Sequence, residues 1–355
     1  MQREEVERYS RQITLEDIGY DGQIKLKESR VCIVGVGGLG SPTALKLASM
    51  GVGYLRLVDR DVVSKSDLHR QYLYDLGSLG KPKVEVAKKK LKRINDLVEI
   101  DARAESLTSY NVEELVKDVD LVIDGLDSIE ARYLLNKACV KERKPYIFGA
   151  AIEMFGNVST IIPYETPCLE CFYSGLQDEN LEKCAIVGVH PSILSIVSSL
   201  QVAEATSILI GKEPKLKNRL LYIDLRSFSF ESININRNPS CKVCSSASVI
   251  ILGEMNLVQG GCGRDGRGVF IFSPKKNLKL NLNHLQRELK NKGFPIISKG
   301  KLGITFDFNE DIRISLLKSG TCILQSTPNS GIKKEEDALM TYEKISEILP
   351  LPKIK

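Results

Sequence analysis

Apolar positions in the first part of this chain alternate between short buried-type runs and helical stripes. Residues 31–34 are a short apolar run closed by glycine, the pattern of a strand buried on both faces. A helix is expected over 41–50, and a second strand over 54–58 with Asp59 at its carboxyl end. Lys81-Pro82-Lys83 opens a further helix, in which Val84, Ala87, Leu91 and Ile94 recur at helical spacing. Strands over 98–102, 120–128 and 145–149 alternate with helices over 112–116 and 131–142. Short helical stretches near 4–12 and 23–29 precede them. Strands alternating with helices predict a parallel, doubly wound sheet, and such sheets bind ligands outside the strands' carboxyl ends.

After residue 151 the pattern changes. Residues 151–165 read as antiparallel strands around Gly156-Asn157, and a polar loop over 166–187 holds three cysteines. A largely apolar helix is expected over 192–210, too short and too serine-rich for a membrane span. A strand pair over 220–224 and 228–234 ends at the 245–248 junction, which closes a first domain of residues 1–245. Residues 249–355 read as a small α+β domain. Its strands are expected at 249–252, 269–273, 302–308, 312–317 and 321–326, and its helices at 281–292 and 334–349. The fold class is therefore α/β: a Rossmann-like, mostly parallel sheet with an antiparallel extension, plus this small domain.

Composition narrows the function classes. Among 355 residues, 43% hydrophobic and 27% charged content is ordinary for a globular protein. The net charge of +5 is dispersed, so no nucleic-acid partner is implied. No membrane span is expected, and the opening MQREEVERYSRQ lacks the apolar core of a signal peptide, which favours the cytoplasm.

Candidate chemistry begins at Gly35, Gly37 and Gly40, spaced as G-x-G-x-x-G between a strand and a helix. Glycine there permits a tight turn and close approach of a phosphate to backbone N–H groups at a helix N-terminus. With Asp59 beyond the second strand, the default reading is a dinucleotide-binding oxidoreductase. Arg70, Lys83 and Asp127 argue for a different reaction. Two cations can hold a triphosphate and its leaving pyrophosphate, and a carboxylate can hold magnesium. The bland alternative makes Arg70 and Lys83 surface charges and Asp127 a helix cap. Cys168/Cys171 and Cys241/Cys244 form two C-x-x-C pairs, and two such pairs complete a closed, structural tetrathiolate zinc site. Cys184, beside Lys183 and ahead of the 192–210 helix, reads equally as a nucleophile or a spare loop cysteine.

The ordered stretches RYSRQI (8–13), GVGGLGS (35–41), DRD (59–61), RQ (70–71), GKPKV (80–84), DGLDS (124–128), PCLEC (167–171), CAIVGV (184–189) and NPSCKVC (238–244) carry a family resemblance. Through them the first 245 or so residues resemble the ThiF/MoeB/HesA group, relatives of the ubiquitin-activating enzymes. The archaeal activators of ubiquitin-like sulfur carriers are the nearest subgroup by this likeness. The resemblance implies ATP-dependent adenylation of the C-terminal glycine of a β-grasp carrier protein ending in Gly-Gly. It implies that Gly35, Gly37, Gly38 and Gly40 cradle phosphates and that Asp59 binds the ribose. Asp61, Asp67 and Gln71 join the nucleotide set, Arg70 and Lys83 stabilise developing charge, and Asp127 holds magnesium. Arg11 would serve the partner's site in a homodimer, and the four paired cysteines would bind zinc. Cys184 would form a thioester or acyl disulfide, with a separate sulfur donor or transfer protein serving sulfur transfer or protein conjugation.

The chain departs from the family at Asp67, where Asn is usual, so Asp67 is expected to bind magnesium or turn outward. It departs again at Ser128, where Asn usually follows the aspartate. Residues 249–355 match no rhodanese and are expected to recruit a partner, so that their deletion leaves adenylation largely intact. The competing readings are an NAD-dependent oxidoreductase and an inactive activator-like scaffold.

Overall fold

The computed structural model describes residues 1–176, 187–245, 249–253, 256–262, 267–332 and 334–349. The first sheet holds β1 (Arg30–Val34), β2 (Tyr54–Asp59), β3 (Glu99–Ala104), β4 (Leu121–Asp124), β5 (Tyr146–Ile152), β6 (Phe155–Ile161), β7 (Arg219–Asp224) and β8 (Ser229–Asn234). Their order is β3-β2-β1-β4-β5-β6-β7-β8. Pairing is parallel from β3 through β5 and antiparallel from β5 through β8. The order reverses between β1 and β4, which opens a crevice at their carboxyl ends.

Eleven helices are named here in chain order among the described residues: α1 (Arg3–Arg8), α2 (Ser10–Ile13), α3 (Gly19–Glu28), α4 (Gly40–Ser49), α5 (Lys83–Ile94), α6 (Val112–Lys117), α7 (Ile129–Lys141), α8 (Leu169–Phe172), α9 (Pro191–Leu209), α10 (Leu282–Asn291) and α11 (Glu335–Ile348). Two apolar clusters cover the faces of the first sheet. Ile33, Leu55, Leu57 and Ile123 join Leu47, Leu91 and Val197 in one, and Cys32, Val34 and Val122 join Leu115 and Leu135 in the other. Strands buried on both faces account for the continuous apolar runs seen in the sequence. By length and composition α9 is apolar enough to cross a membrane, but half of its apolar window is buried. It packs on β5, β6 and α4, as a core helix does.

Three local expectations need correction. Gly156 and Asn157 lie within β6 rather than at the hairpin turn, which falls at Glu153 (φ +51°) and Met154. Gly156 instead makes room for α9, since a Cβ there would lie 2.6 Å from Val197. Residues 249–252 form no strand: Val249 and Ile251 face outward while Ile250 and Leu252 pack on the second cluster. Two strands of the small domain had not been anticipated, β9 (Val258–Cys262) and β11 (Ile296–Lys299). With β10 (Gly268–Phe272), β12 (Gly303–Asp307), β13 (Ile312–Leu317) and β14 (Cys322–Ser326) they form an antiparallel sheet ordered β11-β12-β13-β14-β10-β9. One face of it buries Phe272, Phe306, Leu316 and Leu324 with residues of α10 and α11. Leu317, fully buried, joins the core of the first sheet instead.

Candidate active site and metal centre

The glycine turn joins β1 to α4 at the reversal point. Gly35 has φ +86°, and a Cβ there would lie 2.4 Å from the carbonyl oxygen of Gly125, which follows β4. A Cβ on Gly40 would lie 1.8 Å from the carbonyl oxygen of Gly35. These two glycines are therefore demanded by the protein's own packing. Gly37 is different: a Cβ there would meet nothing closer than Gln71 Nε2 at 3.8 Å. Open space over a glycine suits close approach of a ligand to the backbone. Gly38 backs onto Leu194 of α9. Ser41 Oγ and Gln71 Oε1, both buried, lack a hydrogen-bond partner among the described residues. Orphaned buried polar atoms beside such a turn fit a polar ligand.

Asp59 closes the turn from the end of β2. Its Oδ2 accepts the Val36 N–H and its Oδ1 the Asp61 N–H, each at 2.7 Å. Burial raises its pKa to about 6, with Lys83 opposing and Asp61 reinforcing the rise.

Beyond Asp59 the cations prove to be buried rather than surface charges. Arg70 and Lys83 are 3% and 5% exposed. Lys83, at the start of α5, donates to Asp61 Oδ2 at 2.9 Å and lies 3.8 Å from Asp67 Oδ2. Burial works against its charge, but Asp61, Asp67 and Asp59 outweigh that and raise its pKa. Arg70 donates to the Ser66 carbonyl and, at 3.2 Å, to Asp67 Oδ1. Asp67 is the hub of the cluster. It is 4% exposed, its Oδ1 also accepts from Gln71 Nε2 at 2.8 Å, and its Oδ2 accepts from Ser64 N at 3.0 Å. Of the two expectations for Asp67, magnesium binding or an outward turn, the outward turn is thus overturned. Its charge is tolerated because it lies between two cations.

Asp127 is exposed in the turn after β4, across the reversal point from Gly35. It is not a helix cap, because Ser128 occupies that position on α7 and accepts from Ala131 N. Beneath this turn lies a network that sequence reading missed. Arg132 donates to Asp124 Oδ2 at 3.0 Å, to the Gly149 carbonyl at 3.0 Å and to the Leu126 carbonyl. Asp124 also accepts from Tyr146 at 2.8 Å and from Leu126 N at 2.8 Å. A charged residue ending a buried strand was the available signal. Arg11 lies exposed on α2, and among the described residues no hydrogen bond or ion pair joins it to this cluster. Cys184 lies outside the described residues.

The four paired cysteines do come together. Their sulfurs lie within 4.8 Å of one another, with Cys168–Cys241 at 3.7 Å and Cys171–Cys244 at 3.4 Å. Zn–S bonds of about 2.3 Å in a tetrahedron place sulfurs about 3.8 Å apart. The Asn238 and Val243 N–H groups point at Cys171 and Cys241 sulfurs at 3.5 and 3.4 Å. Asn136 of α7 accepts from Leu169 N at 3.0 Å, anchoring the first pair to the sheet's helical layer. The cluster is compatible with zinc and ties the segment after β6 to the one after β8.

Comparison with known proteins agrees with the geometry. An Anopheles gambiae adenylyltransferase and sulfurtransferase MOCS3 is 36% identical over 252 residues, 70% of this chain and 57% of its own length. The MOCS3 of Drosophila persimilis is 38% identical over 249 residues, 55% of its length, so the chain spans about half the length of these relatives. A Thermus thermophilus sulfur carrier protein adenylyltransferase is 39% identical over 248 residues, 68% of this chain and 92% of that one. Among solved structures, Escherichia coli MccB with ATP superposes with a TM-score of 0.60 at 25% identity, covering 67% of this chain and 74% of that chain. The oxidoreductase reading is not favoured by these likenesses, nor by a cation pair held at the mouth of the turn. Residues 9–243, which carry the glycine turn, both cations and three of the four clustered cysteines, match the ThiF family, and the chain belongs to it.

Proposed function

We propose that this chain uses ATP to adenylate the C-terminal carboxylate of a ubiquitin-like carrier protein. The observation that carries the reading is the buried pair Arg70 and Lys83 beside the open glycine turn, held ready by Asp61 and Asp67. The named activities of the relatives, sulfur carrier protein adenylyltransferase and MOCS3, support the same reading. In the proposed step a carboxylate oxygen of the carrier attacks the α-phosphorus. The bond from the α-phosphorus to its bridging oxygen breaks, pyrophosphate leaves, and an acyl-adenylate remains. Backbone N–H groups around Gly37 hold phosphate oxygens, Asp59 accepts from the ribose, and Arg70 and Lys83 exchange carboxylate partners for the departing phosphates. Three carboxylates, Asp59, Asp61 and Asp67, act on the buried Lys83, Asp67 also pairs with Arg70, and Asp127 is exposed in the turn after β4, a supply of hard oxygens that suits a divalent ion. Magnesium would be held by Asp127 with the phosphates and would offset their charge.

Zinc in the cysteine cluster has a structural role, because four thiolates leave no open position. A homodimer in which the exposed Arg11 reaches the other copy's nucleotide, and onward transfer through Cys184 to a sulfur donor or transfer protein, extend the proposal. Both rest on the family resemblance. The test is ATP–pyrophosphate exchange with and without a carrier ending in Gly-Gly. Carrier-dependent exchange supports the reading; hydride transfer, or no exchange with any such carrier, defeats it.

A further inference from the structure

The small domain lies outside the residues that match the family, yet it grips the segment that carries Lys83. Five contacts fall on Gly80–Glu85. Thr305 Oγ1 of β12 donates to the Gly80 carbonyl at 2.7 Å. Lys301 N and Leu302 N donate to the two carboxylate oxygens of Glu85, each at 2.8 Å. Gly303 lies so close that a Cβ would be 2.7 Å from Pro82 Cγ, and a Cβ on Gly300 would be 2.3 Å from Glu85 Oε2. The opposite side of the same segment is tied to the nucleotide site. Lys83 N donates to the Asp61 carbonyl at 2.9 Å, Gly80 N to the Val63 carbonyl at 2.9 Å, and Val62 pairs with Pro82. Gly80–Glu85 is thus a middle layer, with Asp61–Val63 on one side and the β11–β12 hairpin on the other.

We infer that the C-terminal domain is a positioning element of the nucleotide site, acting through Gly80–Glu85 to hold Lys83 where the phosphates are received. The inference rests on the adenylation reading for its ligand, ATP. The rest of the interface keeps the brace from slipping. Leu317 is buried in the first domain's core, Ser319 Oγ donates to the Ala104 carbonyl at 2.7 Å, and Ser273 Oγ donates to Ser106 Oγ at 2.7 Å. A domain attached in this way is more than a detachable recruiter, and its deletion removes support from Lys83.

Two measurements on the full chain test this. Coupling is reciprocal, so if the brace favours ATP, ATP must favour the brace. Hydrogen exchange at the Lys301 and Leu302 amides is expected to slow about fivefold on adding ATP and magnesium, the factor carried by the neutral hydrogen bond from Thr305 to the Gly80 carbonyl in the same brace. Thr305→Val keeps the side-chain shape and removes the donor. It is expected to raise the ATP dissociation constant about fivefold, leave the KM for the carrier unchanged, and be rescued by Thr305→Ser. If Thr305→Val does not fold, Glu85→Gln with the exchange measurement replaces it. Wild-type protein that binds ATP while exchange at Lys301 and Leu302 is unmoved, or a Thr305→Val protein of lower Tm with unchanged ATP affinity, would make the domain a structural attachment only and overturn the inference. Wild-type protein that fails to bind ATP would overturn the adenylation reading instead.

Discussion

Replacing Asp67 with Asn should move stability and nucleotide affinity in opposite directions. The carboxylate lies 3.2 Å from Arg70 Nη2 and 3.8 Å from Lys83 Nζ, with all three residues buried. At an effective dielectric constant of about 20 those separations correspond to gross attractions of about 5 and 4 kcal/mol. Most of this is offset by the desolvation of three charges, so the net loss is far smaller. Asn keeps one oxygen for Arg70 and Gln71, and Lys83 keeps Asp61 at 2.9 Å. The expected cost to the nucleotide-free fold is therefore about 1–3 kcal/mol, below the range for a fully stranded buried charge. For ATP the sign reverses. Phosphates compete with Asp67 for the same two cations, and removing that competitor releases attraction to the ligand. A released share of about 1.4 kcal/mol tightens binding about tenfold. Calorimetric titration of ATP–magnesium, beside thermal unfolding without nucleotide, reads both effects. A structural carboxylate predicts lower stability with equal or weaker ATP binding. That result for Asp67→Asn would refute the assignment of Asp67 as the resting counter-ion of the phosphate-binding cations.

Lys83→Met should lower carrier-dependent pyrophosphate exchange on the order of a hundredfold or more, with circular dichroism confirming that the variant is folded. Asp59 is raised to about 6, so it contributes stability below its unfolded value and loses that contribution as pH climbs through about 6. Asp59→Asn should therefore equal wild type near pH 4 and exceed it by about 2 kcal/mol near pH 7 without nucleotide; a constant difference across that range argues against the assignment. The purified chain should carry one zinc ion by elemental analysis, and Cys241→Ser should lower both zinc content and Tm. A metal-free chain with an unchanged melting curve would remove the structural role of the cysteine cluster.

Much of the fold was legible because the central strands of the first sheet, β1, β2 and β4, are buried on both faces and so write continuous apolar runs. The same feature revealed Val31 to Val34 and concealed Asp124, whose charge ends a buried strand and is held by Arg132 and Tyr146 from distant segments. The cysteine cluster was legible for a different reason. Ligand chemistry permits few alternatives for two C-x-x-C pairs, even with the segments far apart. The hairpin at Glu153 was misplaced because Gly156 carries the residue type of a turn, whereas its place in β6 is dictated by Val197 across the layer. Asp67 shows the limit most sharply. Read alone, an acid beside a triphosphate site is expected to bind magnesium or turn outward. Only the fold brings Arg70 and Lys83 to its two oxygens and makes it the centre of the site.

The placement of Glu85 joins the small domain to the helix that carries Lys83. Glu85 lies two residues beyond Lys83 on α5 and spends both carboxylate oxygens on consecutive backbone amides of the small domain. Backbone amides leave no trace in side-chain pattern, so nothing in the sequence of either partner announces the contact. Its effect on Lys83 follows from the stiffness of a helical turn: Lys83 and Glu85 share the first turn of α5, and its start is fixed again through Gly80 and Thr305. A lysine side chain has several rotatable bonds, so its useful position depends on how firmly its backbone is held. Asp61 holds the ammonium from the nucleotide side, and the β11–β12 hairpin holds the backbone from the other. The residues that recognise the family and the residues that brace Lys83 therefore belong to different domains but act on one side chain.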